Sequence, residues 1–336
     1  MGRFLDMSDT AAPTDGRPRP EHRSTPVVVL GQVARDLAVA VDEVPDAGGS
    51  ADVTARRELL GGKGANIAVG LTQLGVPVSL IGVVGDDAVG GWLIEELDRD
   101  GIDTRGVLRR PGTESALMID VVTPDGRWRY LESVPSGALL TADDVRSSAH
   151  LLGEAGTVII QLQQPLDAVL AAVDAVRPGC RVILDGAFQA DEGGRRRLLR
   201  AATVLRCDAQ EAELIAGRAV PDADAARSVA RELLTDGPDL VVLAVGEEGN
   251  LAVWPDGDQL VPLSDAEVVD TTGGGDAFVA ALTWSLIGNT DPEQAVRSAT
   301  AAAGLTVDHL AGRPDMSEDA VRFAARTLST PCGTHR

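Results

Sequence analysis

The sequence predicts an α/β fold: a doubly wound, mostly parallel sheet with helices on both faces, plus a small β-sheet lid. Three observations predict it. Short apolar runs alternate with segments of helical period through most of the chain. Two glycine clusters stand beside predicted helices. Two stretches, about 36–60 and 112–132, interrupt the alternation and are free to pair as a separate sheet.

Residues 26–31 read as a buried first strand (PVVVLG). Residues 36–60 lack helical period and contain Pro45, Gly48 and Gly49, which suggests short strands or loops off the main sheet. A helix over 64–74, a strand over 78–84 and a helix over 89–97 follow. Thr123-Pro124-Asp125-Gly126 separates two strand-like runs, 116–122 and 127–131, and is a hairpin signal. Strand and helix then alternate: 157–162, 166–176, 182–185, 195–201, 203–206 and 210–215. Residues 240–245 form another buried strand, 251–254 and 259–262 a second hairpin, and helices run from Ala277 onward. Alternation of this kind implies parallel strands joined by right-handed crossovers.

Composition narrows the function. With 336 residues and 44% hydrophobic content, the chain can bury a substantial core, built mainly from Ala, Val, Leu and Ile because aromatics are only 3%. A net charge of −21 opposes nucleic acids and anionic membranes as partners. Three cysteines with no metal spacing, and four scattered histidines, argue for reduced thiols in a cytoplasmic protein without a zinc site. No apolar run reaches transmembrane length. Residues 1–26, rich in Pro, Arg and Thr, are expected to be a disordered tail before a single unit over 27–328, with a short tail at 329–336.

The chemistry is concentrated in two places. Lys63 is the sole lysine, within Gly61-Gly62-Lys63-Gly64-Ala65-Asn66; every other basic position apart from the histidines is arginine. A compact ammonium with three rotatable donors suits a moving anion better than a planar guanidinium. The second cluster, Asp270-Thr271-Thr272-Gly273-Gly274-Gly275-Asp276, leads into a helix whose apolar positions include Phe278, Leu282 and Leu286. Glycines before a helix let successive N–H groups converge on an anion at its positive end. Asp276 in the first turn suits a helix cap, or a base held beside a phosphate; with Asp270 flanking the same nest, the base is the better reading. A Walker A loop is excluded, since position 57 is Arg and position 64 is Gly, and no G-x-G-x-x-G occurs.

On these motifs, with Gly82-Val83-Val84-Gly85-Asp86-Asp87 between them, the chain resembles the ribokinase-like (PfkB) family of sugar kinases over roughly residues 27–328. The resemblance implies a ribokinase-like α/β domain whose lid mediates homodimerisation. It also implies transfer of the γ-phosphoryl group of ATP, with Mg²⁺, to a sugar hydroxyl. Carried over by position, it makes Asp276 the general base and Gly273, Gly274 and Gly275 the anion hole. Asp36, Gly62, Lys63, Asn66 and Gln163 become acceptor-binding positions, and Asp208, Glu211, Gly246 and Gly249 nucleotide-binding ones. Glu211 would hold Mg²⁺ through water. Asp270, Thr272, Thr306, His309, Ala311 and Asp315 match positions that hold a monovalent cation such as K⁺.

The chain departs from the ribokinase pattern where sugar is met. Ala34 stands for Asn, Gln163 for Glu, and Ser136-Gly137-Ala138-Leu139 for a Gly-Ala-Asn stretch. Asp208 replaces Asn and Ala244 replaces Thr on the nucleotide side. Such changes alter which hydroxyls find partners, and polar mismatches discriminate strongly. Alternatives to a ribokinase are a nucleoside kinase, a fructokinase or phosphofructokinase, and a non-catalytic sugar or nucleotide sensor on the same fold. The Asp208/Glu211 spacing is equally that of a helix-capping pair.

Overall fold

The computed structural model describes residues 26–124, 128–264, 272–307 and 312–328. Its strands are β1 Val27–Leu30, β2 Ala34–Val41, β3 Val53–Gly61, β4 Val78–Gly85, β5 Asp103–Arg110, β6 Ala116–Val122 and β7 Trp128–Ser133. Then come β8 Thr157–Gln161, β9 Arg181–Asp185, β10 Val204–Cys207, β11 Leu240–Val245, β12 Gly249–Trp254 and β13 Gly257–Val261. They form a nine-stranded sheet in the order β13-β12-β11-β10-β9-β8-β1-β4-β5, and a separate four-stranded sheet, β3-β2-β6-β7. The large sheet is parallel from β11 to β5, and β12 and β13 close it as an antiparallel hairpin.

The apolar strand runs divide their side chains between two cores. Val27 and Val29 of β1 join Ile159, Ile183 and Val242 on one face. Val28 and Leu30 join Ile160, Leu184 and Leu243 on the other. Helices cover both faces, so the strands read as continuous hydrophobic runs rather than alternating ones. This is the doubly wound architecture and separate small sheet expected from the sequence.

Two differences have physical causes. The segment expected to hold short strands or loops contains two long ones, β2 and β3, because side chains alternate buried and partly exposed along β2. The helix Ala223–Leu234 has a weak sequence signal, since its buried face is Ala223, Ala226, Val229, Ala230 and Leu233, mostly alanine. The hairpin turn at Asp125 and Gly126 lies outside the described residues. Among the described residues, no helix is long and apolar enough to cross a membrane.

The topology creates a crevice. After β1 the chain runs outward to β4 and β5, then returns to pair β8 against the other side of β1. Loops leaving neighbouring strands in opposite directions open a cleft at their carboxyl ends. There the helices Lys63–Gln73 and Gly274–Ile287 lie side by side. They approach closely because Gly70 faces Ala280: a Cβ added to Gly70 would lie 2.8 Å from the Ala280 Cβ. One turn earlier on each helix stand Asn66 and Asp276.

Candidate active site

The Asn66 amide nitrogen donates to Asp276 Oδ2 at 3.0 Å, joining two residues 210 positions apart. Both line a cavity of about 350 Å³ together with Lys63, Gly273 and Gly275. The two glycine motifs therefore meet.

Gly273 is the N-cap of its helix at φ +73, with no side chain capping the first turn. A Cβ at Gly273 would fall 1.5 Å from the Gly312 carbonyl oxygen, so this turn requires glycine. Uncapped N–H groups and the positive helix end are thus presented to the cavity. Asp276 makes no cap bond of its own. It is 6% exposed, and its pKa is pushed up to about 7. Burial is the main cause and Asp185 adds to it, while Lys63, the Asn66 hydrogen bond and Arg206 pull the other way. A carboxylate poised near neutrality suits proton abstraction better than one at its ordinary value.

Lys63 opens its helix after Gly62, whose φ is +87 and whose Cβ would lie 2.8 Å from the Ala34 nitrogen. Its Nζ stands 3.5 Å from Glu211 Oε1. Burial works against the ammonium, but Asp185, Glu211 and Asp276 outweigh it and raise the lysine pKa. The cation persists at neutral pH.

Asp208 and Glu211 form a reciprocal capping box: Asp208 Oδ1 accepts from the Glu211 N–H, and Glu211 Oε2 from the Asp208 N–H, each at 2.8 Å. They are a structural cap, and Asp208 also lines the cavity. Glu211 Oε2 is thus engaged in the cap, and Oε1 faces Lys63. No group of three acidic, His or Cys side chains among the described residues is arranged to hold a metal by itself.

The lid supplies the opposite wall. Asp36 of β2 is 7% exposed and lines the cavity with Tyr130 and Glu132 of β7. A Cβ on Gly61 would lie 1.9 Å from the Asp36 carboxylate, so the GGKGAN stretch also makes room for Asp36. Burial and the charges of Asp36, Asp120 and Glu132 raise the Tyr130 pKa, keeping the phenol protonated. Gln163 and Gln32 complete this side.

Other sequence-expected positions lie apart. Gly246 and Gly249 flank the short turn after β11 and do not line the cavity. Thr272 lines it, but the Thr306 hydroxyl donates to the Ala302 carbonyl within its helix, and Asp315 is exposed. Asp270, His309 and Ala311 lie outside the described residues.

Arg206 lines the cavity, backed by Asp185, without any motif to announce either. They are register partners on β10 and β9, joined at 3.1 Å and almost fully buried. The Arg206 guanidinium lies 5.7 Å from the Phe278 ring centre. Its nitrogens come within 3.0 Å of where a Gly275 Cβ would sit. A second fixed cation thus borders the glycine turn.

The family model for pfkB family carbohydrate kinases matches residues 24–319. The chain belongs to the PfkB family. Among curated relatives, a Salmonella typhi deoxyribokinase is 28% identical over 287 residues, covering 84% of this chain and 92% of that protein. Mouse ribokinase is 29% identical over 275 residues, covering 81% and 84%. The structure of Arabidopsis thaliana ribokinase complexed with ribose and ATP aligns at a TM-score of 0.75 with 25% identity, covering 91% of this chain and 99% of that one. This PfkB kinase is accordingly a phosphotransferase with an alcohol acceptor, carrying out ATP-dependent sugar phosphorylation.

Proposed function

We propose that the protein phosphorylates a pentose, and that a 2-deoxypentose is accepted at least as well as ribose. Asp276 takes the proton of the attacking hydroxyl as its oxygen bonds to the γ-phosphorus, and the bond from that phosphorus to the β-bridging oxygen breaks to release ADP. The N–H groups of Gly273, Gly274 and Gly275 hold the transferring oxygens, each worth ~10²–10³ in rate by analogy with oxyanion holes. Lys63 and Arg206 balance charge on either side of them. Mg²⁺ carried on the phosphates through water near Glu211 supplies further charge neutralisation when bound. Asp208, Gly246 and Gly249 are assigned to ATP by their positional match to the family's nucleotide-binding residues.

The observation that carries this reading is a buried carboxylate at an uncapped, glycine-opened helix start, sharing one cavity with the only lysine. Acceptor hydroxyls find Asp36, Gln163 and Asn66, whose Oδ1 is buried without a partner among the described residues. Preference for a deoxy sugar rests on two departures: Ala34, packed in an apolar cluster with Ala116, Met118 and Ala138, and Leu139, which stands where the Gly-Ala-Asn stretch has Asn. They offer no partner to a hydroxyl. K⁺ is proposed only from the positional match of Asp270, Thr272, Thr306, His309, Ala311 and Asp315. The exposed edge strand β3, with Val53 51% exposed, supports homodimerisation through the lid. A kinase unit over 27–328 and a cytoplasmic location, with Cys180 and Cys207 as free thiols, go with this reading.

ATP turnover across ribose, 2-deoxyribose, fructose, fructose phosphates, adenosine and pseudouridine, with and without K⁺, tests it. Turnover with neither pentose would overturn it, and sugar binding without any turnover would favour a sensor. Two further results are expected. Since Asp276 must be ionised, kcat/KM for the acceptor falls about tenfold per pH unit below a pKa of about 7. Gly61→Ala, which drives a methyl group into Asp36, raises the acceptor KM by roughly tenfold or more while sparing the KM for ATP.

A further inference from the structure

Asp120 has no part in the proposed phosphoryl transfer. It sits on the lid strand β6, 3% exposed, on the face that also carries Ala116, Met118 and Val122. A carboxylate among such neighbours is costly unless it is engaged. Its Oδ2 accepts a hydrogen bond from the Thr272 hydroxyl at 3.2 Å, across 152 positions of sequence. We infer that Asp120 is a positioning residue that latches the lid to the anion hole, so that a lid seated on the acceptor also sets the N–H groups for phosphoryl transfer.

Both ends of this link are stiff. Thr272 immediately precedes Gly273, the cap at φ +73. On its other side it lies against Gly312, where an added Cβ would come 2.5 Å from the Thr272 carbonyl carbon. Held between the Gly312 backbone and Asp120, Thr272 cannot shift without moving the first N–H groups of the hole. On the lid, Asp120 is in register with Ala38 of β2 and Tyr130 of β7. Met118, two residues earlier on β6, pairs in the same way with Asp36 and Glu132. The three lid side chains that line the cavity and the latch therefore ride on one hydrogen-bonded sheet. An acceptor that draws the lid in acts on Asp36, Tyr130 and Glu132, and the sheet carries that movement to Asp120 and Thr272.

This inference rests on the proposed site, so its test uses two readouts. Asp120→Ala and Thr272→Val should each lower kcat on the order of 10- to 100-fold, the cost of misplaced reacting groups. The KM for ATP should stay within about twofold. The double variant should match the worse single one, because both remove the same bond. Asp120→Asn, whose amide oxygen still accepts from Thr272, should recover most of the rate. Multiplying effects in the double variant, or Asp120→Asn as impaired as Asp120→Ala, would overturn the latch. Hydrogen exchange judges it independently of turnover. Asp120→Ala should speed exchange both in β6 and over residues 272–276, whereas faster exchange in β6 alone would overturn it. If the wild-type protein turns over no sugar, the proposed function fails while the exchange comparison still decides the latch.

Discussion

Asp276→Asn is expected to lower kcat by at least ~10²–10⁴, the usual worth of a general base, while ATP binds almost as in the wild type. The substitution keeps shape and an oxygen that can accept from Asn66, and removes only the capacity to take the proton. The same change should stabilise the fold at alkaline pH. The folded-state pKa of about 7 lies above the ordinary 3.8. A raised carboxyl pKa means that the folded state favours the protonated form. The associated stability is full below about pH 3.8 and is lost as the pH climbs through about 7. At pH 8 the buried carboxylate costs the wild type on the order of 4 kcal/mol, which the variant escapes. Thermal unfolding of both proteins at pH 5 and pH 8 checks this. An inactive variant with a higher Tm at pH 8 would exclude misfolding as the cause of inactivity. Loss of nucleotide binding together with turnover would make the role of Asp276 structural.

Arg206→Gln is expected to damage stability and rate together, and a second substitution separates the two. Removing one partner of a buried ion pair leaves the other charge uncompensated, at about 3–5 kcal/mol. Pairing the change with Asp185→Asn removes both charges, so Tm should return toward the wild-type value. The rate should not return. With one of the two cations beside Gly275 gone, kcat should stay lower by ~10², comparable to losing a preorganised donor in an anion hole. Thermal unfolding and steady-state kinetics on the two single variants and the double variant check this. Recovery of kcat along with Tm would reduce Arg206 to a structural residue.

The contrast between Asp276 and Arg206 marks what a reader of the sequence can reach. Asp276, Lys63 and the three glycines were legible because their chemistry is local: glycines that free N–H groups, and charges within a few residues of them. The parallel sheet was legible because strands buried on both faces become unbroken apolar runs. Arg206 and Asp185 were not, since each sits at the end of an ordinary buried strand. Only the β9–β10 register brings them together. The lid residues Tyr130 and Glu132 lie on a strand whose alternation suits a solvated face, and Asp120 lies within an apolar run; only the β6–β7 register brings them together. Asp208 and Glu211 illustrate the opposite case. Their spacing supports a helix cap and a site equally, and the structure has the cap, with Asp208 also lining the cavity. Ala34, itself a departure, and Ala138, the neighbour of the departing Leu139, are far apart in sequence but meet in one apolar cluster in space.

The central claim is that ATP and a pentose meet between Lys63 and Asp276. Lys63 is the only lysine and its side chain is 32% exposed. An amine-directed reagent followed by peptide mass analysis therefore reports on this single position, apart from the N-terminus. ATP and 2-deoxyribose together should slow modification of Lys63 at least tenfold while the N-terminus reacts as before. Equal labelling of Lys63 with and without saturating ligands would contradict the account.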